Sequence, residues 1–109
     1  MELSRAIKAL SALAQDSRLK IFRLLMRRGP DGMPAGEIAR ALKAPPNTMS
    51  VHLAILTRAG LVSARKQGRS IIYAVDLEGT RKLLAYLVED CCGGKPDVCR
   101  PLIAECCGK

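Results

Sequence analysis

The cysteines of this chain all lie near its carboxyl end and follow a regular pattern. Two adjacent pairs flank a single cysteine, six residues separate it from each pair, and the first ninety residues contain none. Thiolate sulfur is the ligand that soft ions prefer: As(III) binds three sulfurs in a pyramid, whereas zinc favours a tetrahedron commonly built from C-x2–4-C pairs. The pattern predicts a soft-ion site drawn from Cys91, Cys92, Cys99, Cys106 and Cys107.

The first pair and the central cysteine together supply the three sulfurs of such a site. Two glycines after the first pair permit a turn that brings the central cysteine back over it. Three alternatives use the same sulfurs: binding of Cd(II) or Pb(II), a structural zinc, and an oxidant-sensing switch, although a disulfide between adjacent cysteines is geometrically awkward. The predicted primary ligands are Cys91, Cys92 and Cys99, and the predicted auxiliary ligands are Cys106 and Cys107.

Charge and composition indicate a polyanionic partner. The 109 residues include 18 Lys and Arg against 10 Asp and Glu, a net charge of +8, which favours nucleic acid. With one Phe, two Tyr and no Trp, stacking of bases on aromatic side chains is not expected. The chain has neither the start of a signal peptide nor an apolar run of ~18–20 residues, so we expect a cytoplasmic protein without a membrane partner, whose thiols stay reduced.

Apolar residues at helical spacing predict four helices in the first sixty residues. The first has one apolar side, and the second begins with Asp16 as its N-cap and ends at Gly29 and Pro30. A short third helix covers about residues 34–43, and a fourth runs from a proline corner to Gly60. The predicted apolar sides are Leu3, Ile7, Leu10 and Ala14; Ile21, Leu24 and Leu25; Ile38, Ala41 and Leu42; and Met49, Leu53 and Leu56.

A hairpin and a last helix follow. Residues 61–66 and 70–76 have strand composition and flank Gln67 and Gly68, which predicts a hairpin with its turn at that pair. Residues 77–92 are predicted to form the last helix, with Leu84, Leu87 and Val88 on one side. This order of elements predicts a mainly α (α+β) fold, the winged helix-turn-helix.

The fourth helix turns a second set of residues away from its apolar side. Its exposed N-terminal half suits the major groove, where Asn pairs with adenine, an apolar group touches a thymine methyl and Ser holds a phosphate. The basic hairpin tip suits phosphates or a minor groove. Predicted exposure of Val51 and Ile55 is unusual for a merely solvated helix and favours this function, and the alternative is a helix packed on a protein partner. The predicted DNA-binding residues are Asn47, Thr48, Ser50, Val51, Arg58, Arg65, Lys66 and Arg69.

Catalysis is not indicated. His52, the single histidine, lies beside the apolar side of its helix and is predicted to be a packed, hydrogen-bonded structural residue. The chain has no Ser/His/Asp set, no glycine-rich phosphate loop and no paired carboxylates in a plausible cleft, so we predict that it is not an enzyme.

Three segments resemble the ArsR/SmtB family of metal- and metalloid-responsive repressors, in particular its arsenic-responsive members. They are "ALAQDSRLKIFRLL", "PPNTMSVHLAILTRAGLVSARKQGRSIIYAV" and "YLVEDCCGG", and the likeness covers about residues 3–94. The resemblance implies a homodimer, paired through its first and last helices, that occupies operator DNA when empty. It also implies release of that DNA when the C-terminal thiolates bind As(III), with Sb(III) or a methylated arsenical as alternative inducers. Residues 1–90 would then be the DNA-binding and dimerisation domain, and residues 91–109 a metalloid-binding tail.

The chain departs from the family at three places. Many arsenic sensors carry C-x-C on the third helix, where this chain has "MPAGEIA", and zinc sensors use Asp and His on the last helix, where this chain has no histidine. The recognition helix often shows Gln and Arg or His at the positions of Pro46 and Val51. The departures at the recognition helix bear on the operator sequence and not on the fold.

Overall fold

The computed structural model describes residues 1–88, which form five helices and three strands. Residues 89–109, with the end of the predicted last helix, the predicted tail domain and every cysteine, lie outside the described residues. The elements in chain order are α1 (Leu3–Leu13), α2 (Asp16–Arg28), β1 (Met33–Pro34), α3 (Ala35–Leu42), α4 (Pro46–Arg58), β2 (Val62–Gln67), β3 (Ser70–Val75) and α5 (Leu77–Val88).

The core lies between α2, α3 and α4 and is built from aliphatic side chains. Ile21, Leu25, Ile38, Leu53 and Leu56 are completely buried, as the helical spacing predicts. Each such side chain contributes about 1.5–3 kcal/mol of transfer free energy relative to an exposed position. This core fixes α4 against the helices before it.

Helix α1 has two apolar sides of different size. Ala6, Ala9 and Ala12 face the core, where small side chains let α1 lie close to α2 and α4. The larger side chains that define the predicted apolar side point outward instead: Ile7 is 55% exposed and Leu3 63%. Leu10 is also exposed.

Helix α5 repeats this arrangement. Leu83 packs into the core and Thr80 is buried beside it, whereas Leu84 and Leu87 of the predicted apolar side are 54% and 50% exposed. Two neighbouring helices of the described chain therefore each leave large apolar side chains in solvent.

No helix among residues 1–88 is long and apolar enough to cross a membrane.

The sheet has three antiparallel strands in the order β1-β3-β2. The predicted hairpin is confirmed, but its turn is one residue later than expected, because Gln67 still pairs with Ser70 and leaves Gly68 and Arg69 at the turn. Strand β1 was not predicted. It contains only Met33 and Pro34, which pair with Tyr73 and Ile72, and two residues carry no strand periodicity.

Four further details of the helices differ from the sequence predictions. Asp16 is not the N-cap of α2: Gln15 is, with extended backbone and its side-chain oxygen accepting from the Arg18 N–H at 2.9 Å. In α3, Ala41 is exposed and Ala39 is buried instead, so the helix turns the side with Ile38 and Ala39 toward the core. Helix α4 ends at Arg58, two residues before the predicted Gly60, and Ile55 is half-buried against the core rather than exposed.

Candidate nucleic-acid interface

A sharp corner joins α3 to α4. Lys43 adopts the left-handed conformation, with φ of 55°, and its N–H closes the end of α3. Ala44 and Pro45 complete the corner, and Pro46 is the first residue of α4, where a missing N–H costs nothing. The two helices thus form a helix-turn-helix unit that projects the start of α4.

The N-terminal half of α4 is open to solvent on the predicted side. Asn47, Thr48 and Ser50 are exposed, and Val51 is 57% exposed, while Met49 between them is buried. Within residues 1–88 the backbone N–H groups of Asn47 and Thr48 have no hydrogen-bond partner, since the first helical bond at this end runs from Met49 to the Pro45 oxygen. Side chains for reading bases and amides for holding a phosphate therefore share one surface.

The β2–β3 hairpin, called the wing here, presents cations at its tip. Lys66 and Arg69 are exposed on either side of Gly68, whose φ of +63° is the left-handed conformation that the tight turn requires. Neither side chain forms an ion pair within the described residues. Both are available for a phosphate.

Arg65 is also exposed, but its guanidinium already has partners. Its Nη1 and Nη2 atoms donate to the main-chain oxygens of Pro30 and Asp31 at 3.2 and 3.0 Å. Arg28, at the end of α2, donates from Nε to the next oxygen, that of Gly32, at 3.2 Å. Three consecutive carbonyl groups are thus held by two arginines, which ties the wing to the loop after α2.

Arg58 lies far from the other predicted contacts. It is eleven residues after Asn47, so about 16 Å separates them along the helix axis. It lines a hollow of about 400 Å³ together with Arg5 and Lys8 of α1 and Lys82 of α5. The structure therefore separates Arg58 from the N-terminal half of α4.

His52 is buried at 9% exposure, as the sequence predicts. Its Nδ1 atom lies 3.5 Å from Nη1 of Arg18, whose Nε donates to the Ala12 oxygen at 2.6 Å. Desolvation and, to a smaller extent, the charge of Arg18 lower the pKa of His52. The neutral imidazole, with Nδ1 as acceptor, fits this contact.

Similar proteins have the same architecture. A helix-turn-helix domain family matches residues 13–64. The homodimeric winged helix-turn-helix DNA-binding domain of a possible ArsR-family transcriptional regulator from Mycobacterium bovis is 30% identical, with a TM-score of 0.66 and 81% of each chain covered.

The chain belongs to the ArsR/SmtB family of transcriptional regulators.

Two proteins similar to this chain are named for different roles. The transcriptional activator HlyU of Vibrio cholerae is 29% identical over 84 residues, which cover 77% of this chain and 75% of HlyU. The "Putative arsenical resistance operon repressor ArsR" of Halobacterium salinarum is 35% identical over 83 residues, 76% of this chain and 64% of that protein. The similarity therefore identifies a transcriptional regulator but not its effector, which has to be inferred from the residues of this chain.

In this ArsR/SmtB regulator the predicted thiolate ligands all lie outside the described residues. Within residues 1–88 no group of three His, Cys, Asp or Glu side chains is placed to hold a metal ion. The donor set of five cysteines nevertheless fits a soft ion, because thiolates are the ligands that such ions prefer.

The sequence reasoning missed two arginines that organise this surface, Arg18 and Arg28. Both lie on α2, and their partners are main-chain oxygens or a residue 34 positions away. Because every residue has a main-chain oxygen, residue types do not show which oxygen an arginine will contact. Only the position of Arg28 in the last turn of α2 indicated a contact with carbonyl groups.

Proposed function

We propose that this regulator is an As(III)-responsive repressor that binds operator DNA as a homodimer and leaves it when C-terminal thiolates bind As(III). The observation that carries the DNA-binding half is the exposed N-terminal half of α4, together with a wing whose tip cations have no ion pair within residues 1–88. The observation that carries the sensing half is the position of all five cysteines, directly after the helix whose large apolar side chains face outward. The protein acts in the cytoplasm, where its thiols remain reduced.

Base reading falls to Asn47, Thr48 and Val51. Asn47 and Val51 are four residues apart and therefore lie on the same side of α4, in reach of neighbouring base pairs. Ser50 and the amides at the start of α4 that have no partner within residues 1–88 hold one phosphate, and Lys66 and Arg69 hold another. Arg65 orients the wing through its carbonyl partners, and Arg58 remains the most distant of the proposed contacts.

The homodimer forms through α1 and α5. Both helices leave large apolar side chains exposed, and soluble monomers rarely keep such side chains together in solvent. The described homodimeric relative from Mycobacterium bovis supports this assembly. A two-fold dimer places two copies of α4 at half-sites about one DNA turn apart. The surface, called the dimer seam below, contains Leu3, Ile7, Leu10, Leu84 and Leu87.

Cys91, Cys92 and Cys99 are the proposed primary ligands, with Cys106 and Cys107 in auxiliary positions. Bound As(III) supplies a centre that bonds three sulfurs. By sequence spacing Cys91 is four residues after Leu87, so the ligand set begins where the seam side of α5 would continue. Ligation changes how α5 pairs across the seam, and the spacing of the two reading helices changes with it. A coupling of about 1–3 kcal/mol, or 5–150-fold in affinity, is typical for such regulation.

Fluorescence anisotropy tests this proposal with the full chain and a DNA duplex selected by it from a random pool. Arsenite should release the DNA from the wild-type protein, whereas the Cys91→Ser and Cys92→Ser variants should bind the duplex equally well and retain it. Release that persists in both variants contradicts the proposed ligand set. Release by Cd(II) or peroxide but not by arsenite assigns the thiols to the alternative effectors, and a zinc requirement for binding assigns them to a structural site.

A further inference from the structure

One polar side-chain contact joins α4, the proposed reading helix, to another element of the described chain. Nη1 of Arg18 lies 3.5 Å from Nδ1 of His52. Within residues 1–88 no other side chain of α4 makes a hydrogen bond to another element, since the Thr57 hydroxyl donates within α4, to the Leu53 oxygen at 2.7 Å. Within residues 1–88, the side-chain hydrogen bonding of α4 to other elements therefore depends on Arg18 and His52 alone.

The same arginine holds the end of α1. Its Nε donates to the oxygen of Ala12 at 2.6 Å, and Ala12 is in the last turn of α1, where carbonyl groups lack partners inside the helix. Its own backbone N–H donates to the Gln15 side chain that caps α2. A single guanidinium thus spans the C-terminal turn of α1 and the buried side of α4.

The remaining contacts under α4 are not directional. Met49, Leu53 and Leu56 are buried aliphatic side chains, and their packing tolerates a small rotation about the helix axis better than a hydrogen bond does. Side chains stand about 5–6 Å from that axis, so a rotation of about 10° moves a reading group by about 1 Å. A recognition site tolerates about half of that displacement.

We propose that Arg18 and His52 are positioning residues that fix the rotation of α4 relative to the C-terminal turn of α1. They then transmit a change in the α1 helix to the side chains that read DNA. This inference rests on the proposed function for its consequence at the operator, but the geometric link itself does not require DNA or an inducer.

Variants of the two residues test the link in the full chain. Arg18→Gln and His52→Leu remove donor and acceptor, the double variant removes both, and His52→Asn keeps an acceptor close to the position of Nδ1. Arg23→Gln is the matched control, because Arg23 is exposed on the same helix, loses the same charge and has no hydrogen bond or ion pair within residues 1–88. Affinity for the selected duplex, thermal unfolding and dimer content are measured for each.

Relative to Arg23→Gln, each single variant should lose roughly 2- to 12-fold in affinity, the size expected when one ordinary hydrogen bond is lost. The double variant should be no weaker than the singles, and His52→Asn should bind nearly as well as the wild type. Losses that simply add, or single variants that bind like Arg23→Gln, overturn the inference.

NMR separates this inference from the proposed function. Residual dipolar couplings of free protein should report a changed orientation of α4 relative to α1 in Arg18→Gln and His52→Leu, and an unchanged one in His52→Asn. If the wild type selects no duplex, the proposed function fails while these couplings still decide the link. Identical couplings in every folded variant overturn it, and Arg18→Lys, which keeps the charge, replaces any variant that does not fold.

Discussion

Arg65, in the first strand of the wing, donates from Nη2 to the main-chain oxygen of Asp31 at 3.0 Å. Its Nη1 reaches Pro30 in the same loop, so an exposed cation predicted to contact DNA also ties the wing to that loop. Lys66 and Arg69 at the tip have no such partners within the described residues. The three neighbouring cations are therefore expected to differ in their effect on DNA binding.

The salt dependence of operator affinity distinguishes them. Lys66→Gln and Arg69→Gln should each reduce the slope of log affinity against log salt by about 0.9, the amount for one lost phosphate contact. Arg65→Gln should lower affinity with little change of slope, because the wing loses its orientation rather than a phosphate contact. Anisotropy titrations between 50 and 200 mM salt, roughly the range over which this effect is large, measure the slopes. If Arg65→Gln reduces the slope as much as Lys66→Gln and Arg69→Gln do, Arg65 is itself a phosphate contact.

Glycine-to-alanine changes in two helices should have opposite signs. A Cβ on Gly79, in the first turn of α5, would overlap the carbonyl oxygen of Gly60, so Gly79→Ala should destabilise the fold by about 1–3 kcal/mol, as overpacking does. A Cβ on Gly36 in α3 meets only the mobile end of Arg40 at 3.6 Å, so Gly36→Ala should stabilise by up to about 1 kcal/mol. Urea unfolding of both variants measures the free energies. Equal stability of the two would contradict the close approach of α5 to Gly60.

Acid should weaken the fold through His52. Its pKa is lowered in the folded protein by desolvation and by Arg18, so below about 6.5, the ordinary value, the unfolded chain binds more protons than the folded one. The free energy of unfolding should therefore fall as pH drops through that value and level off below the folded-state pKa. Urea unfolding between pH 5 and 8 measures this, with His52→Asn as the non-titrating control. A control that loses as much stability as the wild type would assign the effect to other groups.

Charge in the dimer seam should separate the subunits without unfolding them. Ile7→Glu and Leu84→Glu place a carboxylate among side chains that the proposed dimer buries, so the association constant should fall at least about tenfold, the equivalent of 1.4 kcal/mol. Sedimentation velocity measures the subunit content, and circular dichroism checks that the helices remain. Leu19→Glu, on an α2 residue that is 44% exposed, is the control and should stay dimeric. A dimer that persists in both seam variants would move the interface elsewhere.

Much of the fold was predictable because burial follows helical spacing. Ile21, Leu25, Met49, Leu53 and Leu56 are buried where the pattern places them. The same pattern did not show where the apolar side of α1 faces, because Leu3 and Ile7 have the same spacing whether they face the core or a second subunit. Nor does residue type reveal the partners of Arg65, since the oxygens that it contacts belong to the backbone. The exposed half of α4 was predictable, whereas the arginine contacts that orient it and the wing were not.

The alanine side of α1 also makes the stability of this helix depend on protein concentration. Ala6, Ala9 and Ala12 give this helix little apolar area against its own subunit, while its larger side chains remain outside. In the proposed dimer, most of the hydrophobic stabilisation of α1 is therefore supplied by the other molecule. The unfolding temperature of α1 should then rise with protein concentration. In a cell that holds few copies of the regulator, a larger fraction would be monomeric, with α1 less stably folded.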